Sequence, residues 1–272
     1  PLWSSPALAN GSLFFAEYGT FGTVPARVWT LNETNGEPIW QTEIPNSLIV
    51  STPAVADNLV FIGTTGTTPG VMALNKENGY IEWFQPTMGN ISSSPAVDSN
   101  KQLIIISDES GFVYCLNETN GEIIWTEQLS PLPINMSSPA ISNNGLVFIG
   151  STDRNLYCLN ETNGEIIWNY TTSGEIISSP ALVEDHVLIG STNGTLYCFG
   201  PPFPIYDLVA LNLTVSPKTP YYSSLVTITY TIKNNGSKTE TFNVTLYYHY
   251  YEKEIWTPPL YLDPQIIYTT SI

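Results

Sequence analysis

The chain has 272 residues, enough for one sizeable core and a second small one. Only 8 Lys or Arg stand against 24 Asp or Glu, a formal charge of −16, and a surface of that sign repels nucleic acid and anionic membrane. No run approaches the about 18 apolar residues of a spanning helix, and no basic-then-apolar leader opens the piece.

The chain repeats one sentence about four times and begins a fifth. Pro6, Pro53, Pro95, Pro139 and Pro180 each sit in a Ser/Thr-Pro-Ala unit, at intervals of 47, 42, 44 and 41 residues. A Leu-Asn pair begins at Leu31, Leu74, Leu116 and Leu159. Nine residues after each comes a tryptophan: Trp40, Trp83, Trp125 and Trp168. Repeats of this period set the whole fold.

In the first copy, strands are predicted over 3–7 and 13–18, followed by a long turn at 19–26. The second copy has another long turn at 63–70. Both read as slack, with a variable binding face as the alternative. The third copy predicts a strand over 103–106. The fourth predicts strands over 139–141, 146–150, 156–159 and 165–168. The fifth predicts 179–182, 186–190 and 195–199, and then the pattern stops. Asn-Gly pairs at Asn35-Gly36, Asn78-Gly79, Asn120-Gly121 and Asn163-Gly164 predict tight hairpins in which both central residues take positive φ. Four short strands per repeat, with the middle two apolar on both faces, describe propeller blades stacked sheet on sheet.

The repeat resembles the pyrroloquinoline-quinone-type propeller repeat. The motifs carrying the likeness are Ser-Pro-Ala, Leu-Asn, and Asn-Gly-Glu before Trp, as in Asn163-Gly164-Glu165 with Trp168. The second copy departs, with Tyr80 after Gly79. The resemblance covers residues 1–200 and implies that Trp40, Trp83, Trp125 and Trp168 dock one blade onto the next. Blades are expected near 1–41, 42–84, 85–126, 127–169 and 170–200. The repeat serves both quinone enzymes and cofactor-free scaffolds, so it speaks for fold more than function. Family rings commonly have seven or eight blades. The expectation is therefore a propeller of four to five visible blades, either closed as it stands or part of a larger ring, with both termini cut from something longer.

Residues 201–206 are Pro-rich and predict a stiff linker. Beyond it the repeat ends, and 207–215, 225–233 and 241–251 alternate like sandwich strands. With Ile232-Lys233-Asn234-Asn235-Gly236 and Phe242-Asn243-Val244, residues 207–272 resemble the immunoglobulin-like adhesion-related domains of bacterial and archaeal surface proteins. The expected class is all-β: propeller repeats, then an incomplete immunoglobulin-like β-sandwich.

Cys115, Cys158 and Cys198 occupy one place in three successive repeats, where Thr30 and Ala73 stand earlier. A place that accepts Thr, Ala and Cys wants a small buried side chain, so free thiols are expected, and without a CxxC or His cluster no metal site. N-glycosylation sequons fall at Asn10, Asn32, Asn90, Asn117, Asn135, Asn160, Asn169, Asn193, Asn212, Asn235 and Asn243. With few lysines they point to an extracellular or cell-surface glycoprotein, and an archaeal surface would unite these features.

Quinone enzymes of the resembled family carry a disulfide between adjacent cysteines, which has no counterpart here. Glu33, Glu118 and Glu161 recur with the repeat and read as structural. Asp108 and Asp153 read as turn formers before cation ligands. Arg27 and Arg154 sit near turns, and His186 and His249 are too isolated for a catalytic triad. The sequence therefore predicts no enzyme, no catalytic residue, no cofactor and no metal. It predicts a structural subunit of an extracellular filament, sheath or coat, its partners being copies of itself or other surface proteins. The alternative is an adhesion or binding module using a propeller face for protein or glycan. A quinone- or cation-dependent enzyme is least favoured.

Overall fold

A computed structural model describes residues 2–20, 22–134 and 137–200, and the backbone of the strands within 208–271. The chain divides into two compact units, Pro1–Gly200 and Pro201–Ile272. Every regular element among the described residues is a β-strand.

The first unit contains five antiparallel sheets in sequence order. β1 (Ala7–Ala9), β2 (Ser12–Glu17), β3 (Ala26–Asn32) and β4 (Pro38–Ile44) form the first. A two-residue strand, β5 (Ser47–Leu48), joins the second sheet, built of β6 (Ala54–Ala56), β7 (Leu59–Gly66), β8 (Gly70–Asn75) and β9 (Ile81–Pro86). The third is β10 (Ala96–Asp98), β11 (Leu103–Ser107), β12 (Phe112–Asn117) and β13 (Ile123–Gln128). The fourth is β14 (Ala140–Ile141), β15 (Leu146–Gly150), β16 (Asn155–Asn160) and β17 (Ile166–Thr171). The fifth has three strands among the described residues, β18 (Ala181–Val183), β19 (His186–Gly190) and β20 (Leu196–Phe199).

The sheets bury their faces against each other, which is why the second and third strands are apolar throughout. Leu103 to Ser107 are buried on both faces of β11, and the interior of β12 likewise. Four cores fill the seams. Phe14, Val28 and Trp40 meet Val60, Ile62 and Leu74 between sheets one and two. Phe61 and Val71 meet Ile104 and Leu116 at the next seam. Ile105, Cys115 and Trp125 then meet Val147 and Leu159, and Phe148 and Cys158 meet Val187 and Ile189. The outermost faces differ. Leu8 on the first sheet and Val183 and Leu196 on the fifth are exposed, and burial in β20 alternates.

The Asn-Gly turns differ from expectation. Gly36, Gly79, Gly121 and Gly164 take positive φ, but the asparagines before them do not. Each loop is longer: Gly36 N–H donates to the Asn32 carbonyl, and Asn32 N–H to the Glu37 carbonyl. The Leu-Asn asparagine holds the turn, since Asn32 Oδ1 accepts from Thr34 and Asn35 N–H at 2.9 and 3.2 Å, and Asn75, Asn117 and Asn160 repeat this. Among the described residues only Asn10-Gly11, between β1 and β2, has positive φ at both residues, 49° and 80°. The long turn expected at 63–70 is also shorter, because β7 runs on to Gly66 and pairs with β5.

The small-residue place of the cysteines has a direct cause. Thr30, Ala73, Cys115 and Cys158 lie opposite Trp40, Trp83, Trp125 and Trp168 in register, and a bulge follows each. Burial pushes the Cys115 thiol up to about 12 and Cys158 to about 11, so both are inert. Cys198 departs from the expectation of burial. It is exposed, because no sheet covers that face of β20 among the described residues.

In the second unit, β21 (Leu208–Ser216), β22 (Thr227–Asn234) and β25 (Ile267–Ser271) form one antiparallel sheet, and β23 (Glu240–Phe242) pairs with β24 (Leu260–Leu262). The expected linker at 201–206 and most of the strand expected over 241–251 lie outside the described residues.

Candidate functional site

Two sets of side chains tie the sheets together, and a groove opens beside one of them. The first set is the Ser/Thr-Pro-Ala unit, which sequence reading took only as a strand. Its first hydroxyl closes its own sheet. Ser51 Oγ donates to the Gly63 carbonyl at 3.0 Å and accepts Gly63 N–H at 2.9 Å, and Ser4, Ser93 and Ser178 do the same at Ala16, Ser107 and Gly190. Its second hydroxyl reaches the sheet before. Ser5 N–H donates to Thr52 Oγ1, Thr52 N–H to Ser94 Oγ, Ser94 N–H to Ser138 Oγ and Ser138 N–H to Ser179 Oγ, at 2.9–3.2 Å. The signal was present in the paired hydroxyls before each proline.

The tryptophans form the second set. Trp40 Nε1 donates to the Lys76 carbonyl at 2.8 Å, Trp83 to Glu118 at 3.1 Å and Trp125 to Glu161 at 2.7 Å, each in the following sheet. Trp40 and Trp125 are buried and Trp83 is half-buried. Trp168 is half-buried and packs on Phe148 and Phe199, with centroids 5.9 Å away in each case.

Two separate cavities stand out in the repeat unit, and the groove is the second of them. One, of about 560 Å³, lies between the first turns of sheets four and five, beside Ser142, Asn144, Glu184 and His186. The other, of about 620 Å³, runs over the first three sheets. Trp3 and Tyr18 stack at one end of it, 5.1 Å between centroids and 20° between planes. Leu48 and Val50 form its floor, and Asn90, Ser92 and Glu109 its far wall. Trp3 is 64% exposed, so its ring is presented to solvent while held by Tyr18. Ser92 Oγ is buried without a hydrogen-bond partner, and Asn90 Nδ2 donates to Glu109 Oε2 at 3.2 Å. No basic side chain lines this groove.

The carboxylates that recur in the sequence are not gathered here. Asp108 accepts from Ser110 and Phe112 N–H at its turn and from Tyr114 Oη at 2.8 Å. Asp153 accepts from Asn155 N–H and from Tyr157 Oη at 2.6 Å. Burial together with these carboxylates raises the pKa of both phenols. Glu118 and Glu161 are buried at sheet junctions, whereas Glu33 is exposed. Arg27 lies within β3, paired with Glu43 at 2.8 Å and Glu17 at 3.5 Å, and exposed Arg154 occupies a turn at φ 78°. His186 is buried in β19. His249 lies outside the described residues. The Arg27 guanidinium is committed to two carboxylates, Glu43 and Glu17.

Of the sequons, Asn10, Asn169 and Asn193 are exposed, and Asn32, Asn90, Asn117 and Asn160 are half-buried in turns or the groove wall. Asn212 lies in β21, described by its backbone alone, and Asn135, Asn235 and Asn243 lie outside the described residues.

A family profile described as "Outer membrane protein assembly factor BamB" matches residues 2–138 and 109–200. No curated protein matches the chain. Among solved structures, BamB from Moraxella catarrhalis is similar with a TM-score of 0.61 at 18% identity, over 72% of this chain and 57% of that one. The computationally designed Ika8 protein is similar with a TM-score of 0.62 at 13% identity, over 72% of this chain and 57% of that one. Quinohemoprotein alcohol dehydrogenase from Comamonas testosteroni gives 0.58 at 13% identity, over 74% of this chain and 41% of that one. The chain thus spans little more than half the length of the first two structures and less than half of the third, and the likeness is one of fold, the β-propeller.

Proposed function

The chain belongs to the family described as outer membrane protein assembly factor BamB, and from that premise we propose that its repeat unit is a protein-binding module working outside the cytoplasm. The observation that carries this reading is the groove of Trp3, Tyr18, Leu48 and Val50. Tryptophan and tyrosine are the side chains that most often dominate binding energy, and here a stacked pair faces solvent over an apolar floor. Asn90 and Thr67 offer hydrogen bonds to a peptide backbone, and Glu109 is the charge at the rim. The fitting partner is an apolar, neutral or basic polypeptide segment. Residues 1–200 carry 19 acidic against 4 basic side chains, which steers such a partner in and anionic ones away. The role is one of binding, without catalysis, cofactor or metal.

Panning a random peptide library on the full chain tests this. Peptides rich in aromatic or aliphatic residues should be enriched. Trp3→Ala should weaken a selected peptide by about tenfold or more, with the thermal midpoint unchanged, as removal of an exposed anchor predicts. Peptides that bind the Trp3→Ala and Tyr18→Ala proteins with unaltered affinity would exclude this groove.

A second reading, a structural subunit of a surface assembly, is favoured by the open apolar faces at Leu8, Val183 and Leu196. It predicts self-association that rises with concentration in sedimentation, and monomers at all concentrations would end it. Residues 207–272 complete the proposal as an immunoglobulin-like sandwich, supported by the antiparallel pairing of β21, β22 and β25. Surface location predicts an intact mass of native material above the 30.0 kDa polypeptide, with exposed Asn10 and Asn169 modified first. A mass equal to the bare chain would remove this support.

A further inference from the structure

The seams of the repeat unit share a plan, and one of them has the wrong charge in it. The second, third and fourth sheets each place a residue just after their Leu-Asn pair into the junction with the sheet before: Lys76, Glu118 and Glu161, each buried. The preceding sheet brings its first turn to the same place. At the junction of sheets three and four this turn supplies Lys101, whose ammonium pairs with Glu161 and lies 3.3 Å from Asp98. At the junction of sheets two and three the corresponding turn residue is Asp57. The register shows the correspondence, because Glu118 N–H donates to the Gln102 carbonyl, Lys76 N–H to Asn58 and Glu161 N–H to Gly145, so Asp57-Asn58 stands where Lys101-Gln102 stands one sheet later.

Glu118 therefore faces a like charge where Glu161 faces a cation. It is only 3% exposed, and its Oε2 is buried with no hydrogen-bond partner; Glu161 Oε1 is likewise unpartnered, but the other oxygen of Glu161 pairs with Lys101. The neighbouring cations are engaged elsewhere: Lys76 Nζ donates to the Asp57 carbonyl, and Lys101 holds Asp98 and Glu161. Of the three tryptophans that bond across a seam, Trp83 is half-buried where Trp40 and Trp125 are buried, and its bond to the Glu118 carbonyl, 3.1 Å, is longer than theirs, 2.8 and 2.7 Å.

We propose that the seam between the second and third sheets is a proton-operated joint, closed when the Glu118 carboxyl is protonated and loosened when it is ionised. A buried carboxylate oxygen with no partner, beside like charges and without a counter-ion, is relieved most simply by a proton. Burial raises the pKa of Glu118, and Asp57 and Asp98 raise it further. Glu161 is raised as well, by burial first, although there the Lys101 ammonium opposes the shift. A carboxyl raised in the folded state lends stability that is complete below the ordinary carboxylate range and is lost as pH rises through the raised value. The groove spans this joint, with Leu48 and Val50 on one side and Ser92 and Glu109 on the other, so loosening would alter its width.

Urea unfolding of the full chain, wild type against Glu118→Gln, at pH 4.5 and pH 8 tests the proposal. The amide keeps the shape of the protonated acid. At pH 8 the unfolding constant of Glu118→Gln should fall below that of the wild type by about fivefold or more, the worth of relieving a buried unsatisfied group. At pH 4.5 the two should coincide. Glu161→Gln should go the other way at pH 8, because it removes one of the two carboxylates that hold Lys101. As an independent readout, the protection of the Trp83 indole N–H, taken relative to that of Trp125, should decline with rising pH in the wild type and stay level in Glu118→Gln. A Glu118→Gln protein that is equally changed at both pH values or less stable at pH 8, or a Trp83 protection independent of pH in the wild type, would overturn the joint.

Discussion

Replacing Trp125 with alanine should destabilise the repeat unit by about 3–5 kcal/mol, the range for truncating a large buried aromatic. The indole does three things at once. Its ring fills the seam between sheets three and four among Ile105, Val147 and Leu159. Its Nε1 donates to the Glu161 carbonyl at 2.7 Å, so truncation leaves a buried acceptor without that donor. Its face covers the Asn163-Gly164 turn, where a Cβ on Gly164 would lie 2.6 Å from Trp125 Cε3. A denaturant titration followed by circular dichroism measures the loss. Trp168→Ala should cost less, because Trp168 is half-buried and the fifth sheet covers it with Phe199 alone among the ring contacts. A Trp125→Ala loss under about 1 kcal/mol would show that the indole does not dock one sheet on the next.

What the sequence made legible followed from periodicity. The order of strands could be read because each repeat alternates turn residues with short runs of valine, isoleucine and leucine, as at Leu146–Gly150. The likeness of Thr30, Ala73 and Cys115 pointed to a small side chain, and the tryptophan opposite each supplies the cause. The hairpin geometry was misread because a dipeptide was weighed without its context. Asn163-Gly164 looks like a two-residue turn, but Asn160 Oδ1 captures the N–H groups of Thr162 and Asn163 and sets a longer loop. The groove was not legible at all. Trp3, Tyr18, Val50 and Ser92 are far apart in sequence and differ from copy to copy, so no repeat signal marks them. The misplaced charge at Asp57 was equally hidden, since it shows only when the turn of one sheet is laid beside the glutamate of the next.

Gly164→Ala should be far more damaging than Gly36→Ala, although both glycines occupy the same turn of their repeats. Their backbones match, with φ of 76° and 71°, so each substitution meets the same left-handed penalty of about 1–2 kcal/mol. Their surroundings do not match. A Cβ at Gly36 meets nothing within 4 Å, whereas at Gly164 it meets the Trp125 ring at 2.6 and 2.8 Å. The ring cannot withdraw, since its Nε1 is held by the Glu161 carbonyl and its edge is packed in the seam. Either the turn or the indole must move, and overpacking of that kind adds about 1–3 kcal/mol. Thermal or urea unfolding of the two variants should therefore differ by at least about 1 kcal/mol. The pair Gly164→Ala and Trp125→Ala should also be non-additive, because removing the ring removes the clash, giving a coupling of about 1 kcal/mol or more. Equal losses for the two glycine variants, or strict additivity with Trp125→Ala, would mean that these glycines answer only to the turn and not to the tryptophan of the preceding sheet.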